Sequence, residues 1–470
     1  MSDAISNYYR CPEQYVRIAP AAVSSQKTGY FKFGKDVLYG KGPGAAKSAT
    51  DNLPDLLPQV LTENGTVQPP FDVSEVIDNL RYETYNGCVG QTHPAQSITG
   101  KAYYLFRPAL SVKVRRHLQK IRLGGWKRLR FPKWPVDSTV DSTLENLLLL
   151  SLRSSGRSEI PFIWFWPNGA SSCAIMTHDV ETTAGRDFCS SLMDINDRFG
   201  IKASFQVVPE RRYDVPESYL GSIRSRGFEI NVQDLNHDGF LFRDREEFLA
   251  RVPKINAYGR QFGAVGFRSA VLYRQQQWYD SLEFLYDMSV PNVAHLDPQR
   301  GGCCTVMPYF IGNILELPVT TTQDYSLFHI LNDHSLDLWK QQCELIMSRH
   351  GLISFIVHPD YIIGEAERAT YENLLAYLNE LRMSRNVWIT LAGEAAQWWK
   401  ERFEMKLVHV NGTWQIVGKG RERARIAYAR EGDGKLVYSF KPHAGAAEIA
   451  ALGATMRADV NYSSARQGVC

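Results

Sequence analysis

Cysteine is sparse in this chain: its 470 residues include eight cysteines, and none form a Cys-x-x-Cys pair. Reduced thiols in a cytoplasmic protein are therefore expected. No apolar run reaches the roughly 18 residues of an ordinary transmembrane helix. The first ten residues have no basic stretch leading into an apolar one, so no secretory signal is expected.

A strong excess of charge is also missing. The chain carries 53 lysines and arginines against 50 aspartates and glutamates, a net charge of +3. That balance is too even for a general nucleic-acid binder, and no recognised nucleic-acid motif is present. What is present is a globular composition, with 44% hydrophobic and 22% charged residues and no internal repeat.

Basic residues cluster in one place, between residues 108 and 134. Within this segment Val114, Leu118 and Ile121 recur at helical spacing, which predicts a basic amphipathic helix near 111–123. Two interpretations stay open. The helix attaches to an anionic membrane surface, or it packs on the next domain and leaves a solvated basic face.

Between residues 159 and 400, short apolar runs alternate with helical patterns, which indicates a parallel α/β sheet. Polar clusters repeatedly follow the apolar runs, and in barrels the chemistry lies at the carboxyl ends of the strands. A distorted (β/α) barrel is therefore predicted. The predicted strands are 172–177, 203–208, 228–232, 264–268, 314–319, 353–357 and 387–391, and the predicted helices are 186–199, 217–226, 245–262, 335–349 and 367–384.

Two further regions flank this barrel. Residues 1–158 mix aromatic and turn residues and are expected to form an N-terminal α+β region that includes the basic helix. Residues 401–470 are expected to form a small β-rich C-terminal appendage. Within it, Asn411-Gly412 lies between alternating apolar residues, which is a strong signal for a β-hairpin.

Five polar residues follow predicted strands in an order that suggests a single site. Asp179 and Glu181 lie two residues apart, so that one could bind a cation while the other accepts a proton from water. Arg268 could keep one of these carboxylates ionised by pairing with it. His237 and His358 follow other strands. A lone histidine is more often structural than a ligand, so the ordered set carries the argument.

This ordered set resembles the polysaccharide deacetylases with the NodB-homology fold, over about residues 160–400. Threonine, aspartate and glutamate of the family's first motif match Thr177-His178-Asp179-Val180-Glu181. The remaining matches are residues 229–239 with the H-x-x-x-H motif, 266–269 with the arginine motif, 286–292 with a Y-D-x-S segment, and 356–358 with the L-x-H motif, where isoleucine replaces leucine.

The resemblance implies a role for each matched residue. Asp179 would be the general base, Glu181 a metal ligand and His358 the general acid. Arg268 would orient and acidify Asp179, and Asp287 would line the pocket. The implied enzyme is a hydrolase of carbon–nitrogen bonds other than peptide bonds. It would use a divalent cation, zinc above all, to remove the N-acetyl group of an amino sugar.

The sequence departs from the family at Gln233, the first of the two metal-binding histidine positions, whereas His237 fits the second. An amide oxygen is a poor donor for zinc. Three interpretations stay open. The metal binds through Glu181, His237 and a neighbour such as Asp234 or His178; a harder cation accepts the amide oxygen; or the metal has been lost.

The predicted function is therefore a deacetylase-like hydrolase, with a carbohydrate-binding or scaffolding barrel as the alternative. Without a secretion signal, a nucleotide- or lipid-linked glycan precursor is the expected substrate. The expected location is the cytoplasm, and the membrane interpretation of the basic helix would add peripheral contact at the inner membrane face. Aromatic side chains available for sugar stacking are Trp164, Trp166, Tyr273 and Trp278, although core packing is the commoner role for any one of them.

Overall fold

The computed structural model describes residues 4–21, 27–86 and 123–441. The basic helix predicted near 111–123 lies outside the described residues, apart from its last one. None of the described helices has the length and apolar composition needed to cross a membrane. The helices in these ranges are α1 (Ala4–Tyr9), α2 (Val73–Arg81), α3 (Thr139–Ser154), α4 (Thr183–Arg198), α5 (Glu217–Ser225), α6 (Arg245–Phe262), α7 (Asp337–Met347), α8 (Glu365–Arg385) and α9 (Ala392–Glu404).

The strands fall into three regions of the chain. Those before the barrel are β1 (Arg17–Ile18), β2 (Thr28–Phe33), β3 (Asp36–Lys41), β4 (Leu61–Glu63), β5 (Thr66–Gln68) and β6 (Ile160–Ile163). Those of the barrel are β7 (Ser172–Val180), β8 (Ser204–Val207), β9 (Glu229–Gln233), β10 (Gly266–Arg268), β11 (Tyr286–Asp287), β12 (Tyr309–Ile311), β13 (Ile314–Glu316), β14 (Leu352–Val357) and β15 (Val387–Thr390). Those that follow are β16 (Lys406–Val410), β17 (Thr413–Val417), β18 (Ile426–Gly432) and β19 (Lys435–Phe440).

The centre of the fold is a sheet of parallel strands in the order β13, β11, β10, β9, β8, β7, β14. β12 pairs antiparallel with β13, and β15 lies parallel to the first half of β7. Residues 317–321 continue β13 toward β14, where Thr321 N donates a 3.3 Å hydrogen bond to Ser354 O. The sheet therefore curls into a distorted (β/α) barrel, which confirms the predicted fold class.

The elements of the barrel follow from local sequence. Every residue of β7 is buried, as expected for a central parallel strand that is covered on both faces. Helix α4 begins after Thr182, whose side chain accepts a hydrogen bond from Gly185 N, and α6 begins after Asp244, which caps it in the same way through Glu247 N. These caps satisfy backbone donors that would otherwise be unpaired at the helix starts.

The two largest hydrophobic clusters of the described residues lie on the two sides of the barrel wall. In the outer core, strand residues such as Met176 and Phe205 pack against the surrounding helices. The inner core joins Ile175 of β7 to Leu144 of α3 and Trp398 of α9. Segments that precede and follow the barrel in sequence therefore share one core with its interior.

The C-terminal region is connected to the start of the barrel through β18, which pairs antiparallel with both β19 and β6. β16 and β17 form a separate hairpin. Its turn residues Asn411 and Gly412 have φ values of 50° and 79°. Positive φ at both central residues is typical of the type I′ turn, so the hairpin predicted from this pair is present.

Candidate active site

Strand β7 distributes its polar residues between two faces by simple alternation. Asp179 turns into the barrel, where it forms a buried ion pair with Arg268. His178 turns outward, and its Nε2 lies 3.0 Å from the Nδ2 of Asn196 on α4. Burial lowers the pKa of His178 to about 3, so the imidazole is neutral. The structure therefore places His178 outside the site.

Glu181 lies where the predicted residues meet. Its Oε1 is 2.7 Å from Nε2 of His237, 3.0 Å from Nε2 of Gln233 and 3.5 Å from Nε2 of His358. Burial raises the pKa of the Glu181 carboxyl, but the charges of His237 and His358 outweigh burial and hold that pKa well below its usual value. Glu181 is therefore ionised at neutral pH.

Gln233 bridges the two carboxylates of the first motif. Its Nε2 donates to Oδ2 of Asp179 at 3.2 Å and to Oε1 of Glu181 at 3.0 Å. Ionised carboxylates only accept hydrogen bonds, so the amide nitrogen rather than the oxygen faces them. The amide oxygen is buried and has no hydrogen-bond partner in the described part of the chain.

Arg268 fixes the proposed base in place. It is fully buried, and its Nε donates to Met288 O at 3.0 Å while Nη1 donates to Thr177 Oγ1 at 2.9 Å and pairs with Asp179. Burial raises the pKa of Asp179 above its usual value, although Arg268 acts in the opposite direction. The carboxylate is therefore both oriented and more basic than an exposed aspartate.

His358 is oriented by a residue that sequence reasoning missed. Oδ2 of Asp324 accepts a hydrogen bond from the backbone N of His358 at 2.6 Å. Oδ1 of the same carboxylate lies 2.7 Å from Nδ1 of the His358 ring. Burial lowers the pKa of His358, but the charges of Asp324 and Glu181 outweigh it and raise that pKa well above its usual value. The imidazole is therefore protonated at neutral pH, with Nε2 facing the site.

These side chains suit a divalent cation. Asp179, Glu181 and His358 bring one side-chain atom each within 4.8 Å of one another, and because the His358 ring carries a proton, the two carboxylates are the donors of that group. His237 adds an imidazole whose Nε2 lies 2.7 Å from Glu181 Oε1, and its buried Nδ1 has no hydrogen-bond partner among the described residues. Carboxylate and imidazole donors are those that zinc and cobalt take in proteins. The donor set therefore fits the predicted cofactor class.

The remaining predicted residues lie around this centre. Asp234 is not part of the ligand group, and one of its oxygens accepts from Leu235 N at 2.7 Å. Asp287 is held by Ser289 through hydrogen bonds of 2.8 and 2.9 Å. Trp278 is half-buried and stacks on Phe242, with ring centres 6.1 Å apart, so its contacts are those of a packing residue.

The aromatic side chains beside the site are tyrosines rather than the predicted tryptophans. The ring of Tyr361 lies 4.7 Å from that of His358, and Tyr325 lies 5.7 Å from Tyr361. Both tyrosines are half-exposed, whereas Trp164 and Trp166 are buried in the core. Tyr273, also considered for stacking, is buried as well.

Several solved structures are similar to this chain. They include a protein assigned as a polysaccharide deacetylase from Mycobacterium smegmatis (17% identity, 51% of this chain and 93% of that chain, TM-score 0.41) and one from Pseudomonas aeruginosa PAO1 (14%, 50% and 92%, 0.38). Another is the PuuE allantoinase (13%, 50% and 92%, 0.39). No protein-family model matches the sequence, and a search of curated proteins gives no match.

Proposed function

We propose that this protein is a metal-dependent hydrolase that removes the acetyl group from an N-acetylated amino sugar in a glycan or glycan precursor. One observation carries the proposal: Asp179 and His358, a base and an acid, approach the same carboxylate, Glu181, in a buried cluster. Pairs of titratable groups driven to different protonation states are typical of acid–base catalysis.

Asp179 accepts the proton in the first step. Its carboxylate is ionised beside Arg268, and burial makes it more basic than an exposed aspartate. It removes a proton from water as the water oxygen bonds to the acetyl carbonyl carbon. A divalent cation held by Glu181 and His237, with Asp179 beside them, would polarise that carbonyl.

His358 donates the proton in the second step. Asp324 binds its Nδ1, which leaves Nε2 directed at the site. As the carbon–nitrogen bond breaks, the departing sugar nitrogen takes the proton from Nε2. The products are acetate and a free amine, and Asp179 then returns the water proton to solvent or to His358.

Asp179→Asn tests this function. The amide keeps the shape of the side chain but cannot accept the proton, so acetate release from N-acetylated sugars is expected to fall by about 10²–10⁴-fold. Acetate is measured enzymatically over a panel of N-acetyl amino sugars. Asp214→Asn makes the same chemical change at an exposed carboxylate and is expected to leave the rate unchanged. Equal rates for wild type and Asp179→Asn would refute the assignment of the base.

A carbohydrate-binding barrel without catalysis is the second candidate, and Gln233 favours it. The Gln233 amide already donates to both carboxylates of the first motif, so their hydrogen bonding does not depend on an ion. This candidate predicts glycan binding that chelator leaves unchanged and no acetate release from any N-acetyl sugar. The hydrolase predicts turnover that chelator abolishes.

We also propose that the protein works in the cytoplasm at the inner membrane face. The support is local: Lys127, Arg128 and Arg130 are exposed beside the half-buried Trp126, an arrangement suited to an anionic interface. Co-sedimentation with phosphatidylserine vesicles that is lost in high salt is expected. Equal sedimentation with neutral vesicles would contradict the membrane part.

A further inference from the structure

The loop after β8 holds an arginine at the edge of the site. Nε of Arg212 donates a 2.8 Å hydrogen bond to the backbone oxygen of Glu181, the residue on which the predicted site converges. Arg212 is half-buried. Within the described ranges, no acceptor is bonded to its two terminal nitrogens. The guanidinium is thus fixed at one end and unpaired at the other.

The fold imposes this position on Arg212. The hydroxyl of Tyr213 donates to Val180 O at 2.7 Å and accepts from Val208 N at 3.0 Å, which ties the loop to the ends of both β7 and β8. Arg211 has φ of 68°, in the left-handed region that non-glycine residues rarely adopt. Such conformations persist only where the surrounding structure enforces them, and they cluster at functional sites.

The nearby carboxylates have other partners. Glu210 accepts from Tyr258 at 3.3 Å and lies 4.0 Å from Nζ of Lys254. The Glu181 carboxylate is already in contact with two histidines and Gln233. These two carboxylates therefore do not engage Arg212, and its two terminal nitrogens have no acceptor among the described residues.

We propose that Arg212 is a specificity-determining residue that binds an anionic substituent, a phosphate or a carboxylate, on the sugar that presents its acetamido group to Asp179. This inference rests on the proposed function and narrows its substrate class to anionic amino sugars. With Nε held by Glu181 O, the two terminal nitrogens still offer parallel N–H donors. That pair matches two oxygens of a phosphate or carboxylate.

Binding to the Asp179→Asn protein, which is not expected to turn substrate over, gives the test. Calorimetry with N-acetylglucosamine 1-phosphate and N-acetylmuramic acid probes the phosphate and carboxylate sources, and methyl N-acetylglucosaminide is the neutral reference. At least one anionic probe is expected to bind at least about tenfold more tightly than the neutral one, the scale of a charge-assisted hydrogen bond. The anionic probe with the larger gain in affinity over the neutral probe shows whether Arg212 binds a phosphate or a carboxylate.

Arg212→Gln is expected to remove this preference while leaving binding of the neutral probe unchanged. Arg211→Gln removes the same charge one residue earlier, at an exposed position, and is expected to retain the preference. Arg212→Lys keeps the charge but loses the paired donors, and an intermediate preference is expected. Circular dichroism of each variant checks folding.

The outcomes separate this inference from the proposed function. Equal binding of neutral and anionic probes to the starting protein, no binding of any probe, or equal losses in Arg212→Gln and Arg211→Gln would overturn the role of Arg212. If wild type nevertheless releases acetate, the hydrolase stands without the anion site. An Arg212-dependent preference without acetate release from any probe would instead leave an anionic-sugar binding site and overturn the hydrolase.

Discussion

Gln233 occupies the position at which the resembling family has a metal-binding histidine, and its amide nitrogen faces both carboxylates of the site. The amide is neutral and donates hydrogen bonds there, so it lends no lone pair to a cation. The neutral amide of Gln233 also does not keep Glu181 ionised, because the charges of His237 and His358 lower the pKa of that carboxyl. Any cation is therefore held by fewer imidazoles than in the family pattern, and weaker binding is expected.

Gln233→His is expected to strengthen cation binding, because imidazole is a better zinc donor than an amide. The dissociation constant for Zn²⁺, measured by competition with a chromophoric chelator, should fall by about tenfold or more. Gln277→His adds a histidine at an exposed position and serves as the control. An unchanged dissociation constant in Gln233→His would mean that residue 233 does not face the cation.

At the scale of single elements, the turn between α7 and β14 carries a pH-sensitive histidine. Nδ1 of His350 lies 3.1 Å from Ser171 O, and its ring packs edge-on against Trp164 with centres 4.7 Å apart. Burial lowers the pKa of His350 below its usual value. The unfolded chain therefore binds a proton at a higher pH than the folded protein does, and acid favours unfolding through this residue.

His350→Asn is expected to weaken the acid sensitivity of stability. Asparagine does not titrate, and it tolerates the left-handed φ of 57° at this position. Below the unfolded pKa of about 6.5, wild type should lose at most about 1.4 kcal/mol per pH unit more than the variant. Urea unfolding between pH 7 and pH 5 measures both slopes. Parallel pH dependence in the two proteins would show that His350 titrates alike in both states.

The regular helices and strands of the barrel could be predicted because each one depends on the spacing of apolar residues within a short stretch of sequence. All seven predicted strands and five predicted helices overlap observed elements. The two-residue β11 is too short to leave a pattern.

Asp324 was not predicted because it lies beyond an irregular extension of β13 rather than at the end of the strand. The pairing of β18 with β6 was not predicted either, because it joins segments more than 250 residues apart, which no local pattern reveals.

Most charged residues of the site could be predicted from their positions just after strands, because the carboxyl ends of parallel strands converge at one end of a barrel. The sequence motif singled out Asp179, Glu181 and His358, and in the structure one side-chain atom of each lies within 4.8 Å of the others. Side chains of a strand alternate between its two faces, so the face of His178 depends on which residues of β7 point into the barrel. Asp179 points inward, and His178 therefore points outward toward Asn196. The position of the half-exposed Tyr361 beside His358 depends on the path of the loop after β14, which strand patterns do not specify.

At the scale of the whole molecule, a buried ion pair joins the N-terminal region to the barrel. Glu83 lies between α2 and the barrel, where it pairs with Arg274 and accepts from Gly302 N. Nε of Arg274 donates to the same carboxylate at 2.6 Å. Both side chains are almost fully buried, so each charge depends on the other for its solvation.

Glu83→Gln is expected to destabilise the protein by about 3–5 kcal/mol, because it removes the carboxylate that pairs directly with the buried guanidinium of Arg274. Glu75→Gln, which removes the partner of Lys41 in a solvated pair, is the control and should cost less than about 1 kcal/mol. Chemical denaturation measures both free energies of unfolding. Equal, small losses would show that this contact does not hold the two regions together.

The central claim is that Asp179, Glu181, His237 and His358 form a working hydrolytic centre around a divalent cation despite Gln233. Elemental mass spectrometry of the purified, untagged protein tests it most directly, with Glu181→Ala and His237→Ala alongside. The account predicts one tightly bound cation per wild-type chain, lost in both variants. No bound cation in wild type, even after incubation with zinc, manganese, nickel and cobalt, would contradict the claim and favour the carbohydrate-binding barrel.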